Sequence, residues 1–153
     1  MSNHDAPGES LRRGNRLIAW FGIAFGALTV ATPALALLIE LHWLHPLLTL
    51  FYVLLGAGTA FAGVLILRGC STGLWLLFAL FAIQCVEFFC DAFSYSLVGP
   101  ISLRFGFGRS ANPFWWLKFN ALAIAVCVWS TALASKSEQS LQHTSDAGPT
   151  PNA

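Results

Sequence analysis

Two carboxylates sit in a stretch that otherwise suits lipid. Residues 81–95 read FAIQCVEFFCDAFSY, with Glu87 and Asp91 one helical turn apart. A charge at mid-membrane costs at least about 2.5 kcal/mol and is normally turned toward protein or a water-filled cavity. At about 100° per residue, Gln84, Glu87, Asp91, Ser94 and Tyr95 share a stripe roughly 100° wide. The remaining faces carry Phe, Leu, Ala and Cys. Such a stripe faces another helix, and two chemistries fit it. With a countercharge it is an ion-paired seam that fixes helix register. Without one, Glu87 is a proton or cation site, or Glu87 or Asp91 is the acid or base of an enzyme acting on a lipid or quinone.

A countercharge is available. On helical geometry, Asp91 lies about 10 Å from the outer end of its segment, Glu87 about 16 Å, and Lys118 about 8 Å into the next segment. Asp91 and Lys118 are therefore expected to pair. Glu87 is left deeper, with Gln84 and Asn120 as polar neighbours. The loop between the two segments brings Arg104 above the stripe. The outer half then holds Glu40, Glu87 and Asp91 against Arg104, Arg109 and Lys118. Equal numbers of acids and bases suggest a closed network rather than a strongly selective ion path, and with no catalytic motif in the chain a non-enzymatic role is favoured.

Other chemistry is weakly represented. Cys70, Cys85, Cys90 and Cys127 form no C-x-x-C pair. On unbroken helices Cys85 and Cys127 point away from the charged seam, so they should not meet while Glu87 and Lys118 do. All four read as small apolar fillers. ELHWLHP offers Glu40, His42 and His45 as weak metal ligands, without the helical His spacing of a strong site. No P-loop, H-E-x-x-H, nucleophile elbow or dinucleotide fingerprint is present. No cofactor is expected.

The elements that must position these residues follow from composition. The chain of 153 residues is 56% hydrophobic and 10% charged, with 13 Phe and 6 Trp. Its net charge of +1 argues against a nucleic-acid partner. Four apolar segments, 17–39, 47–67, 74–98 and 113–134, each reach the ~20 residues that a spanning helix needs. They predict an all-α integral membrane protein, an antiparallel bundle of four transmembrane helices. Residues 1–16 and 135–153 read as polar cytoplasmic tails. Arg12, Arg13 and Arg16 followed by Ala34-Leu35-Ala36 resemble a cleaved leader, but the apolar run is long, and the first segment is read as a permanent helix.

Charge sets the orientation. Arg12, Arg13, Arg16, Arg68 and Lys136 fall on one side, and Arg104, Arg109 and Lys118 on the other. This bias puts both termini in the cytoplasm of a bacterial inner membrane. Trp20, Trp75 and Trp129 mark the inner boundary, and Trp43, Trp115 and Trp116 the outer one. Small residues such as Gly22-x-x-x-Gly26 and Gly56 to Gly63 suit close helix contacts or a homo-oligomer face. Ile101, Leu103, Phe105 and Phe107 alternate with small or polar residues, as do Glu40 to Trp43. These loops either pair as a two-stranded β cap or lie on the membrane surface. The function expected is that of an accessory, scaffold or sensor subunit among membrane lipids and a protein partner. A small oligomeric proton- or cation-coupled transporter is the alternative.

Overall fold

A computed structural model describes residues 7–38, 46–96, 99–111 and 114–146. In chain order the helices are α1 (Pro7–Leu38), α2 (Pro46–Leu67), α3 (Thr72–Ala82) and α4 (Ala121–Asp146). Between α3 and α4 run four strands, β1 (Val86–Cys90), β2 (Ser94–Tyr95), β3 (Arg104–Arg109) and β4 (Trp115–Asn120). They form one antiparallel sheet in the order β2-β1-β4-β3.

This overturns the all-α bundle of four transmembrane helices. Two helices carry stretches long and apolar enough to cross a membrane, Leu11–Leu35 of α1 and Thr49–Leu67 of α2. The third apolar segment, 74–98, is helical only to Ala82 and then becomes β1 and β2. The fourth, 113–134, is β4 before it is α4. The physical reason lies in composition. VEFFC and WWLKFN are rich in aromatic and β-branched residues that favour a pleated, half-buried surface. The expected β cap also changes form. The strand period near Phe105 is realised as β3, but its partner is β4, and Glu40 to Trp43 lie outside the described residues.

The helices pack in the cyclic order α1, α2, α3, α4. Small residues let α1 and α2 approach closely. A Cβ at Gly26 would come within 2.6 Å of the Ala60 nitrogen, and one at Gly56 within 2.8 Å of Val30 Cγ2. Packing of this kind joins helices where lipid removes the hydrophobic drive. Phe81 of α3 is buried against Phe25 and Phe21 of α1, with ring centroids 5.0 and 6.0 Å apart. Buried Thr29, Thr59 and Ser130 return their hydroxyls to carbonyls four residues earlier, which satisfies them inside apolar packing.

The turn that follows α2 passes through Gly69, whose φ of 80° only glycine adopts freely. At the other end of α3 the helix pair runs into the sheet with almost no connector. Asn120 N donates to the Cys85 carbonyl and Ala121 N to the Leu103 carbonyl. β1 and β2 join through a two-residue turn, Asp91-Ala92, closed by mutual hydrogen bonds between Cys90 and Phe93.

Candidate functional site

Strand pairing divides the sheet into two unlike faces. Opposed residues share a face, and the register sets Glu87 against Lys118 and Gly106, Phe89 against Trp116 and Gly108, and Asn120 against Arg104. This first face is polar. The second carries Val86, Phe88, Cys90, Leu117, Phe119, Phe105, Phe107 and Trp115, with Arg109 at its end, and is mainly aromatic.

Glu87 is the centre of the polar face and is fully buried. Its Oε1 lies 3.3 Å from Arg104 Nε, and its Oε2 accepts a hydrogen bond from Ser96 Oγ at 3.2 Å. The Arg104 contact is a charge contact without a directed hydrogen bond at Oε1. Arg104 Nε instead donates to Ser102 Oγ at 2.9 Å. Tyr52 of α2 is within electrostatic reach of both charges. Gln84, also fully buried, donates from Nε2 to the Leu80 carbonyl at 2.9 Å, while its Oε1 finds no partner. A Cβ at Gly99 would touch both Gln84 Oε1 and the Phe25 ring, so Gly99 closes this pocket against α1.

The expected site residues are thus partly gathered and partly dispersed. Gln84, Glu87 and Arg104 lie at the junction of helices and sheet. Asn120 borders it but serves as an N-cap, its Oδ1 accepting from Ala123 N at 3.4 Å. Asp91 is in the β1–β2 turn, exposed, and its Oδ2 accepts from Phe114 N at 3.1 Å. The expected Asp91–Lys118 ion pair is not made. Lys118 is the cross-strand neighbour of Glu87, and its Nζ sits 5.0 Å above the Phe89 ring. The five-residue helical stripe dissolves because strand geometry puts Tyr95 with Phe88, on the face opposite Glu87. Tyr95 donates its hydroxyl to the Ile83 carbonyl at 2.6 Å.

The cysteines also depart from expectation. Cys85 Sγ and Cys127 Sγ are 3.8 Å apart. The argument that kept them apart assumed an unbroken helix through Cys85 and Glu87, and the chain leaves helical geometry between them. Glu40, His42 and His45 lie outside the described residues. Among the described residues no three His, Cys, Asp or Glu side chains gather at metal-binding spacing. Ser96 and Tyr52 were not anticipated. Tyr52 had a sequence signal, the one phenol in an apolar helix, whereas Ser96 had none.

Fold and site together describe a helical hairpin with membrane-length apolar stretches, joined through a second helix pair, α3 and α4, to a two-faced antiparallel sheet. Comparison with protein-family models, with curated proteins and with solved structures finds no match.

Proposed function

We propose that this chain is a non-enzymatic accessory, scaffold or sensor subunit of a bacterial inner membrane, held by α1 and α2 with both termini in the cytoplasm. The observation that carries this reading is the aromatic face of the sheet. Phe105 and Phe107 are each 57% exposed, and Val86 and Trp115 more than a third. Their rings are already ordered among themselves, with Phe105 stacked on Phe119 at 5.6 Å and Phe107 edge-on to Trp115 at 6.1 Å. An ordered, exposed aromatic surface of this kind suits contact with a protein partner, either a second copy of the chain or another membrane protein.

Charge placement supports the orientation. Gly14 of α1 lies against Leu133 of α4, and Trp75 of α3 donates to Glu138 of α4 at 3.4 Å. These contacts put Arg12, Arg13, Arg16, Arg68 and Lys136 at one end of the molecule, with Arg104, Arg109 and Lys118 in the sheet at the other. The larger basic cluster belongs on the cytoplasmic side. Glu87, enclosed by Arg104 and Ser96, supports a structural role for the carboxylate.

The test is affinity capture of the full-length chain from detergent-solubilised membranes, followed by native mass spectrometry. A defined homo-oligomer or stoichiometric complex is expected, and Phe105→Ser with Phe107→Ser should disperse it. A monomer indifferent to these substitutions overturns the reading.

A second reading, proton or cation coupling, draws on one observation. Gln84 Oε1 and Glu87 Oε1 are buried acceptors without a directed donor. Proton flux into liposomes carrying the protein, abolished by Glu87→Gln, would favour it over the first.

A further inference from the structure

Lys118 is a cation in an aromatic setting. Among the described residues no carboxylate lies within ion-pairing distance of it, because Glu87 is taken by Arg104 and Asp91 by Phe114 N. Its Nζ is held over Phe89 instead. Around it are two shallow concavities that share Lys118 and Trp116. One, of about 290 Å³, is completed by Phe89 and Phe114. The other, of about 250 Å³, is completed by Arg104, Phe105 and Gly106. Both lie just under the ~300–1,000 Å³ of drug-sized sites, a size that suits a headgroup fragment.

Two glycines shape this trough. A Cβ at Gly106 would come within 2.8 Å of Lys118 Cγ, and one at Gly108 within 2.8 Å of Trp116 Cδ2. The alternation of β3 thus removes side chains on the polar face, and the Lys118 stem and the Trp116 ring lean into that space.

Depth tells which ligand the trough meets. Gln84 and the Phe25 ring of α1 both border Gly99, and Phe25 is about 15 Å inside the outer end of the apolar stretch of α1 at Leu35, so Glu87, three residues of mostly extended chain beyond Gln84, lies near that end. Lys118 is level with Glu87 in the sheet. Trp116 and Phe89 lie two residues further along their strands, about 6.6 Å. The trough therefore straddles the membrane boundary, where phosphates of lipid headgroups lie and where aromatic and basic side chains gather.

We propose that this trough binds the phosphate of an anionic phospholipid, with Lys118 as the charge contact and Phe89, Phe114 and Trp116 as apolar walls. The proposal goes beyond the partner reading. It rests on Lys118, Phe89, Phe114 and Trp116, none of which carries that reading, so the two can fail separately. Aromatic walls favour a lipid over free phosphate, since a hydrated ion gains nothing from three rings, whereas glycerol and the first acyl carbons do.

The experiment uses the full-length chain in nanodiscs of phosphatidylcholine with and without phosphatidylglycerol, and native mass spectrometry of the lipids retained. The wild type should retain phosphatidylglycerol preferentially. Lys118→Gln should lower the preference about fivefold, the scale of one basic side chain at an anionic surface. Lys118→Arg should keep it, and Arg109→Gln, outside the trough, should leave it unchanged. Phe114→Ala, at the trough's exposed rim, should weaken it and stands in should Lys118→Gln fail to fold. Equal retention of both lipids, or an undiminished preference in Lys118→Gln or in Phe114→Ala, overturns the proposal. Displacement of the retained lipid by millimolar inorganic phosphate would overturn the choice of a lipid ligand.

Discussion

Arg104 Nε lies 3.3 Å from Glu87 Oε1 although β4 runs between their strands. Arg104 pairs in register with Asn120 and Glu87 with Lys118, so the guanidinium passes over β4 to reach the carboxylate. The ion pair thus ties the third strand of the sheet to the first across the one between them. The Glu87 end is fully buried, whereas the Arg104 side chain is 46% exposed. Removing the cation should therefore cost less than breaking a fully buried pair. Arg104→Met is expected to destabilise the protein in detergent by about 1–3 kcal/mol, because a buried carboxylate is left without its countercharge. Adding Glu87→Gln should recover part of the loss. Simple additivity in the double-mutant cycle would show that the pair contributes no coupling. Asp91→Asn, at an exposed turn, should shift stability by less than about 1 kcal/mol.

The contact between Cys85 and Cys127 gives a second test. Their sulfurs are 3.8 Å apart, and closing to the ~2.05 Å of a disulfide needs only small side-chain movement. Copper phenanthroline should cross-link them within one chain, which ties the α3–β1 connection to α4. Mass spectrometry of peptides should show the 85–127 bridge and no bridge to exposed Cys70. Absence of the 85–127 species would contradict the helix-to-strand switch that brings these thiols together.

Helix contact between α1 and α2 leads to a third. At Gly26 and Gly56 an added side chain meets backbone atoms that cannot move aside. Gly26→Leu should separate the helices and cost on the order of 1–3 kcal/mol or abolish folding, as overpacking does. Gly58→Ala is the control, since its Cβ would meet Leu80 Cδ1 at an ordinary 3.4 Å. Thermal unfolding in detergent should show a loss at Gly26 and little change at Gly58.

The sheet itself is testable. Leu117 stands in β4, which is hydrogen-bonded on both sides. Proline there removes a ladder donor in a central strand. Leu117→Pro should abolish the antiparallel component of the infrared amide band while the helical component of α1 and α2 persists. A wild-type spectrum with no β component would sink the sheet outright.

Topology can be read by single-cysteine labelling in a cysteine-free background. Ser102→Cys, before β3, should react with an impermeant maleimide from outside intact cells. Ser140→Cys, in α4, should react only after lysis. Labelling of both from outside would reverse the proposed orientation.

The sequence by itself determined where apolar helices stand and which end carries the basic cluster. The apolar stretches of α1 and α2 were legible because a single run of about 20 apolar residues leaves the backbone few other ways to satisfy itself in lipid. Their close approach was legible in Gly26 and Gly56, and the strand tendency around Phe105 in its period of two. Tertiary structure alone decided that the third and fourth apolar segments change from helix to strand. A five-residue run such as VEFFC, with one acid among apolar residues, is too short for its period to separate the two states. Its choice rests on a partner some thirty residues away, WWLKFN, which β1 meets only once the chain between them has folded back. That one decision moved the acids. On a helix, Asp91 would follow Glu87 on the same face and reach Lys118. On strands, Glu87 turns to Arg104, Asp91 goes to the turn, and Lys118 is left over Phe89. Side-chain direction depends on the backbone's period, so charges whose identity the sequence gives away could not be paired until the fold had set that period.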